Sequence, residues 1–236
     1  YHPVVKGEKK VIGATAFGVV TPGLMKMKRL LEEKGFEMIL FHATGTGGVV
    51  MEEMAEKGYF DGVMDWTTHE VVDEVGGGVF ASGKERLDIL SHSNVPWILA
   101  PGAIDYICRG GYEHLPPRWQ KRKHIIHNRN ITLVRATATE MVRAARFLAG
   151  KINQAAGPVK IMIPLRGFSE PNAEGKPFYD PQSDGEFIRA LKQGLKQGLK
   201  QGAEICEMDA HINDDAFVLE AVDQMMGMLE KQTRFR

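Results

Sequence analysis

The sequence predicts an α/β domain built on an open, mostly parallel, Rossmann-like sheet with helices on both faces. Seven short β-branched or aliphatic runs each stop in a polar, mostly glycine-bearing turn, and a helix-period pattern follows nearly every turn. Strands that alternate with helices need crossover connections, which make the sheet parallel. The runs are apolar rather than alternating, as expected of strands covered on both faces. A closed eight-fold barrel is the rival, but 236 residues and seven runs favour the open sheet.

The elements follow in order. A strand at 10–14 runs into Thr15-Ala16-Phe17-Gly18. The helix over 22–34 takes Thr21 as N-cap and Pro22 in its first turn, and ends at Gly35. A second strand at 37–41 enters His42-Ala43-Thr44-Gly45-Thr46-Gly47-Gly48, and a helix over 49–57 stops at Gly58. The third strand, 62–65, ends in Asp65-Trp66-Thr67-Thr68-His69, where Asp65 or Thr67 is a candidate cap; Gly76-Gly77-Gly78 reads as a lid or a close backbone approach. A helix at 84–91 and a strand at 97–100 come next, the strand closing on Pro101-Gly102. Residues 106–130 break the rhythm and read as an insertion. Strands at 131–135, 159–164 and 204–208 then alternate with helices at 138–155, 184–201 and 214–231. Leu-Lys-Gln-Gly occurs three times from 191 to 202. It reads as a local duplication whose glycines, at about 1 kcal/mol each, bend or fray the helix.

Residues 1–10 look like a linker and 11–236 like a single α/β domain, one part of a longer multidomain protein. Lys+Arg and Asp+Glu balance at 30 each, which argues against a dedicated nucleic-acid surface. The basic residues between Arg118 and Arg129 read as a solvated loop face. Cys108 and Cys206 have neither a CxxC nor a zinc-ligand spacing, so a disulfide framework is not expected and a reducing, cytoplasmic setting fits. No apolar run approaches the roughly 20 residues that span a bilayer.

In an open parallel sheet the turns after the strands lie along one edge, where ligands bind. The three glycines of 45–48 let a backbone approach a ligand, and a glycine-rich turn opening a helix is a usual cradle for phosphate or carboxylate. The expected ligand-binding residues are Thr15, Phe17, Gly18, Thr44, Gly45, Thr46, Gly47, Gly48, Thr67, Gly102 and Arg166, with Arg166 as the anion clamp. Candidate catalytic groups are His42, His69, His211, Arg166 and Ser169, since a histidine titrates near neutrality. Glu70 could join His69 in acid–base work. No GxSxG elbow supports a serine triad, and no metal site is assigned.

Read together, several motifs resemble one family. They are 13–22 (Gly-Ala-Thr-Ala-Phe-Gly-Val-Val-Thr-Pro), 42–48, Pro164-Leu165-Arg166-Gly167, Pro177-Phe178-Tyr179-Asp180-Pro181 and Asp209-Ala210-His211-Ile212-Asn213-Asp214. The family contains the plant inhibitor of tobamovirus RNA replication and bacterial and fungal homologues described as ATP-binding-domain proteins. The resemblance spans nearly the whole chain and is to the second of the family's two Rossmann-like domains. It implies a missing N-terminal domain in the parent chain, a homo-oligomer, and ATP, another nucleotide or a phosphorylated small molecule bound near the domain junction.

Three functions follow as expectations: a small-molecule-binding α/β domain, a hydrolase of ester or phosphate substrates with a histidine base, or a protein-interaction module. On the first, Gly47→Val removes ligand binding and leaves the fold intact.

Overall fold

The computed structural model describes residues 9–196 and 203–234. Six strands form one parallel sheet: β1 (Val11–Ala16), β2 (Glu37–His42), β3 (Gly62–Asp65), β4 (Trp97–Leu99), β8 (Val159–Pro164) and β9 (Ala203–Met208), in the order β2-β1-β3-β4-β8-β9. A second, antiparallel sheet holds β5 (Tyr106–Arg109), β6 (His124–Asn128) and β7 (Ile131–Arg135) in the order β5-β7-β6. The helices are α1 (Thr21–Glu33), α2 (Gly47–Glu56), α3 (His69–Gly76), α4 (Pro117–Gln120), α5 (Ala138–Ile152), α6 (Pro181–Lys196) and α7 (Asp215–Arg234).

Successive strand residues point to opposite faces, and both faces are covered. Trp97 and Leu99 enter one core with Met51, Val71, Met141, Phe187 and Leu191. Ile98 enters the other with Leu24, Met27, Phe217 and Met225. So α1 and α7 cover one face and α2, α3, α5 and α6 the other, which is why the inner strands β1, β3 and β4 carry no polar alternation.

Three expectations need correction. The run at 131–135 is not a strand of the parallel sheet: it is β7, paired antiparallel with β5 and β6. The insertion therefore supplies two of the three strands of a small sheet. Residues 84–91 do not form an α-helix, and only Asp88–Ser91 makes a short 3-10 turn. Leu87 sits at φ 71 because its N–H reaches Glu52 while Arg86 turns inward to buried carboxylates. Thr21 is not the N-cap of α1: Val20 holds that place, and the Thr21 hydroxyl donates back to the Phe17 carbonyl at 3.1 Å.

The repeat at 191–202 is described through residue 196 only, the rest of the predicted helix lying outside the described residues. Within it, a Cβ on Gly194 would come 2.6 Å from the Ala149 Cβ, so this glycine lets α6 lie close against α5.

Candidate functional site

The turns after β1 and β2 form one wall of a cleft of about 540 Å³ at the carboxyl edge of the parallel sheet. Phe17, Gly18 and Val19 follow β1, and His42 and Thr44 end β2 and its turn. Phe80 enters from the loop after α3 and Glu170 from the turn beyond β8. The opposite wall is the β6–β7 hairpin, through His127, Asn128, Ile131 and Leu133. Phe17 packs edge-on against His42, with ring centroids 5.3 Å apart. The cleft thus has aromatic faces, two imidazoles, an amide and the Glu170 carboxylate, the mixture of apolar walls and few polar groups typical of ligand sites.

Of the residues expected from sequence, Phe17, Gly18, His42 and Thr44 line this cleft. Sequence reasoning missed Phe80, Glu170 and the hairpin residues. The turn Asn128-Arg129-Asn130 between two apolar runs was the available hairpin signal. There the Asn128 side-chain oxygen accepts the N–H groups of Asn130 and Ile131, at 2.8 and 2.9 Å.

The glycine-rich turn is held from within. Glu70 Oε1 accepts the backbone N–H of Gly45 at 2.9 Å and of Gly48 at 3.3 Å. A Cβ on Gly47 would lie 2.0 Å from the His42 carbonyl oxygen, and one on Gly48 2.1 Å from Glu70 Oε2. Gly47→Val therefore strikes backbone, and the expectation that it leaves the fold intact is corrected. Thr46 is exposed and precedes α2 without a side-chain cap.

Beneath the turn lies a buried ion cluster. Arg86 contacts Asp65 bidentately (Nη2 to Oδ1 2.9 Å and to Oδ2 2.7 Å), Glu70 (Nε to Oε2 3.0 Å) and Glu52. Glu70 is fully buried here, so its work is to hold the arginine and the turn rather than to transfer protons. Burial pushes the Glu52 carboxyl up against the opposing pull of Arg86. Asp65 Oδ1 also accepts the Thr15 hydroxyl at 2.7 Å, and Thr15 Oγ1 accepts the Thr67 N–H at 2.9 Å. Thr15 and Thr67 thus spend their polar atoms inside the protein, and neither Asp65 nor Thr67 caps α3, whose N-cap is Thr68. Gly102 is a close approach, its missing Cβ only 2.2 Å from the Trp66 carbonyl oxygen. Gly76, Gly77 and Gly78 close α3 tightly: Gly77 takes φ 71, a Cβ on Gly76 would meet Ile107, and the Gly78 N–H donates to the Asp73 carbonyl at 2.7 Å.

Arg166 and His211 line a different cleft, of about 500 Å³, with Tyr179 and Asp184. Arg166 is exposed and held bidentately by Asp209 (Nε to Oδ1 2.6 Å, Nη2 to Oδ2 2.5 Å), and the cleft it lines contains no residue of the glycine-rich turn. Both His211 nitrogens are engaged: Nε2 is 2.8 Å from the Ser169 carbonyl oxygen, and Nδ1 accepts the Asn213 N–H at 3.1 Å. The Ser169 hydroxyl is buried and donates to Asp105 Oδ2 at 2.9 Å. These groups do not form a nucleophile–base pair in this arrangement.

His69 lies fully buried behind Phe17, with ring centroids 4.7 Å apart. Its Nδ1 is 2.8 Å from the Ala103 carbonyl oxygen and its Nε2 is 3.5 Å from Asp73 Oδ2. Burial by itself lowers the imidazole pKa, but Asp73 and Cys108 alongside hold it well above the ordinary histidine value. Burial, then Cys108, Asp105 and Asp73, push the Tyr106 phenol well up.

Fold and site define an α/β fold with an edge cleft walled by an antiparallel hairpin. The chain belongs to the uncharacterised protein family UPF0261, whose C-terminal domain it matches over residues 9–229. It is 40% identical over 229 residues to a UPF0261 protein of Clostridium tetani, spanning 97% of this chain and 56% of that protein. It is 36% identical over 230 residues to the ToMV resistance protein Tm-1 of Solanum lycopersicum, spanning 98% of this chain and 30% of that one. The chain therefore spans about half or less of the length of these relatives. Among solved structures it is similar to one reported with the lipolytic enzymes LipS and LipT, at 10% identity and a TM-score of 0.47 over 96% of this chain and 95% of that one. That likeness is too low to carry an argument about chemistry.

Proposed function

We propose that this chain is a small-molecule-binding α/β domain whose ligand, a nucleotide or another phosphate- or carboxylate-bearing compound, sits in the cleft between the first two strand ends and the β6–β7 hairpin. The observation that carries the reading is the convergence of Phe17 and Phe80 with His42, His127 and Asn128 around one cleft of about 540 Å³. Aromatic faces suit a base or other planar group, and imidazole and amide donors suit an anion. The amides of Gly45 and Gly48 are engaged by Glu70, so this reading places anion recognition on His42 and His127 rather than on the glycine cradle. On this reading the preceding domain of the parent chain, which the resemblance implies, completes the open side of the site in a homo-oligomer, and the cysteine usage suits a cytoplasmic setting.

Calorimetric titration with ATP, ADP, sugar phosphates and short carboxylates tests this. Gly18 is the discriminating position, because it lines the cleft and a Cβ there meets nothing within 4 Å. Gly18→Leu and His127→Ala are expected to weaken the binding compound at least tenfold while leaving the melting temperature unchanged. A compound that binds both variants as it binds the parent chain sits elsewhere, and the cleft reading falls.

A further inference from the structure

Behind the cleft, α3 and β5 bring together a nitrogen, an oxygen and a sulfur that the proposed ligand site does not use. His69 and Asp73 stand four residues apart on α3 and so share one helix face. Cys108 comes from β5, and all three are fully buried. Their candidate ligand atoms lie within 4.8 Å of one another.

The hydrogen bonding around them is directional. The Ala103 carbonyl can only accept, so the His69 Nδ1 beside it at 2.8 Å carries the hydrogen, and Nε2 is turned toward Asp73 and Cys108. Ala103 itself holds a positive φ of 56°, a strained conformation for a residue with a side chain, to present that carbonyl. An imidazole fixed through its far N–H by a backbone carbonyl is the usual setting of a metal-binding histidine. Asp73 is equally fixed, its Oδ1 accepting the Cys108 N–H and its Oδ2 the Phe80 N–H, each at 2.9 Å. Yet His69 Nε2 has no hydrogen-bond partner among the described residues. At 3.5 Å from a carboxylate oxygen, that nitrogen needs a cation between the two, either its own proton or a metal ion.

Tyr106, two residues before Cys108 on β5, points to the same face, and its ring lies 4.9 Å from that of His69. Its hydroxyl is also buried without a hydrogen-bond partner among the described residues.

We propose that His69, Asp73 and Cys108 hold a divalent ion of the zinc type. Mixed nitrogen, oxygen and thiolate ligation suits that ion. With zinc–ligand bonds of about 2.0–2.3 Å, tetrahedral ligands stand roughly 3.3–3.7 Å apart. His69 and Asp73 already have that spacing, and the wider separations close in by about an ångström. With no exposed ligand, and the Phe17 ring between His69 and the cleft, the ion is structural and ties α3 to β5 beneath the binding site.

Expression in medium supplemented with zinc, and separately with cobalt, tests this. Dialysed against a weak chelator, the chain is expected to retain one metal per molecule. The cobalt form should show a thiolate-to-cobalt charge-transfer band and intense visible bands of a tetrahedral site. Cys108→Ala should lose the band, Asp73→Asn should lower metal content, and Cys206→Ser should keep both, with far-ultraviolet circular dichroism checking the fold. If Cys108→Ala does not fold, the parent and Cys206→Ser spectra decide. A metal-free parent chain from both media overturns the proposal, and leaves His69 and Asp73 as a buried imidazolium–carboxylate pair. So does a band that survives Cys108→Ala or disappears with Cys206→Ser.

Discussion

Glu70 holds the glycine-rich turn shut: one of its carboxylate oxygens accepts the backbone N–H groups of both Gly45 and Gly48. Its other oxygen accepts from the Arg86 guanidinium at 3.0 Å. The amides that such a turn presents to an anion are engaged by the protein's own anion, and the same carboxylate links the turn to the buried charges below. Removing it leaves the Arg86 Nε–H and two backbone amides without their acceptor, while Arg86 keeps Asp65 and Glu52. Glu70→Ala is expected to lower unfolding stability by ~3–5 kcal/mol, the range for breaking a buried ion pair. Urea denaturation measures this, and a loss below about 1 kcal/mol would show that the cluster carries little stability.

The glycines of the candidate edge divide into two kinds. Gly47 faces the His42 carbonyl oxygen at 2.0 Å from any added Cβ, while Gly18 faces open space. Gly47→Ala must displace backbone and is expected to melt well below the parent or to fail to fold. Gly18→Ala should stay within about 0.5 kcal/mol of it. Equal melting temperatures for the two variants would contradict the packing described for the turn.

Arg135 lies between two buried carboxyl groups. Its Nη2 contacts Asp184 Oδ1 at 2.5 Å and its Nη1 the Asp105 carbonyl oxygen, while the Asp105 side chain accepts from Ser169. Burial pushes the Asp184 carboxyl up to about 7 against the pull of Arg135 and the Asn172 amide, with Asp105 adding to the rise. A folded-state pKa above the unfolded value of 3.8 means that the native protein holds this proton more tightly. The contribution is fully present below about pH 4 and is lost as pH rises toward 7. Melting temperatures across that window should fall with pH for the parent chain and fall less for Asp184→Asn. Parallel curves would remove Asp184 as the source.

Thr137 starts α5 with a reciprocal pair: its hydroxyl accepts the Glu140 N–H at 3.3 Å, and the Glu140 carboxylate accepts the Thr137 N–H at 2.8 Å. Thr137→Ala is expected to cost about 1 kcal/mol, read from the shift in denaturation midpoint. A midpoint that does not move would mean that Arg122, which also holds Glu140, fixes the helix start by itself.

Local sequence determined a good deal. Apolar runs closed by polar turns marked all six strands of the parallel sheet within a few residues, because a strand covered on both faces is largely apolar. They also located the edge where Phe17, Gly18, His42 and Thr44 meet. Tertiary structure decided the rest. The run at 131–135 has the apolar content of a central strand, and only pairing with β5 and β6 made it the wall of a cleft. Glu70 stands 25 residues from Gly45 and Asp73 stands 35 from Cys108, separations that no local pattern encodes. Which buried charge meets which partner depends on how the elements pack, since a carboxylate taken from water is tolerable only where donors converge on it.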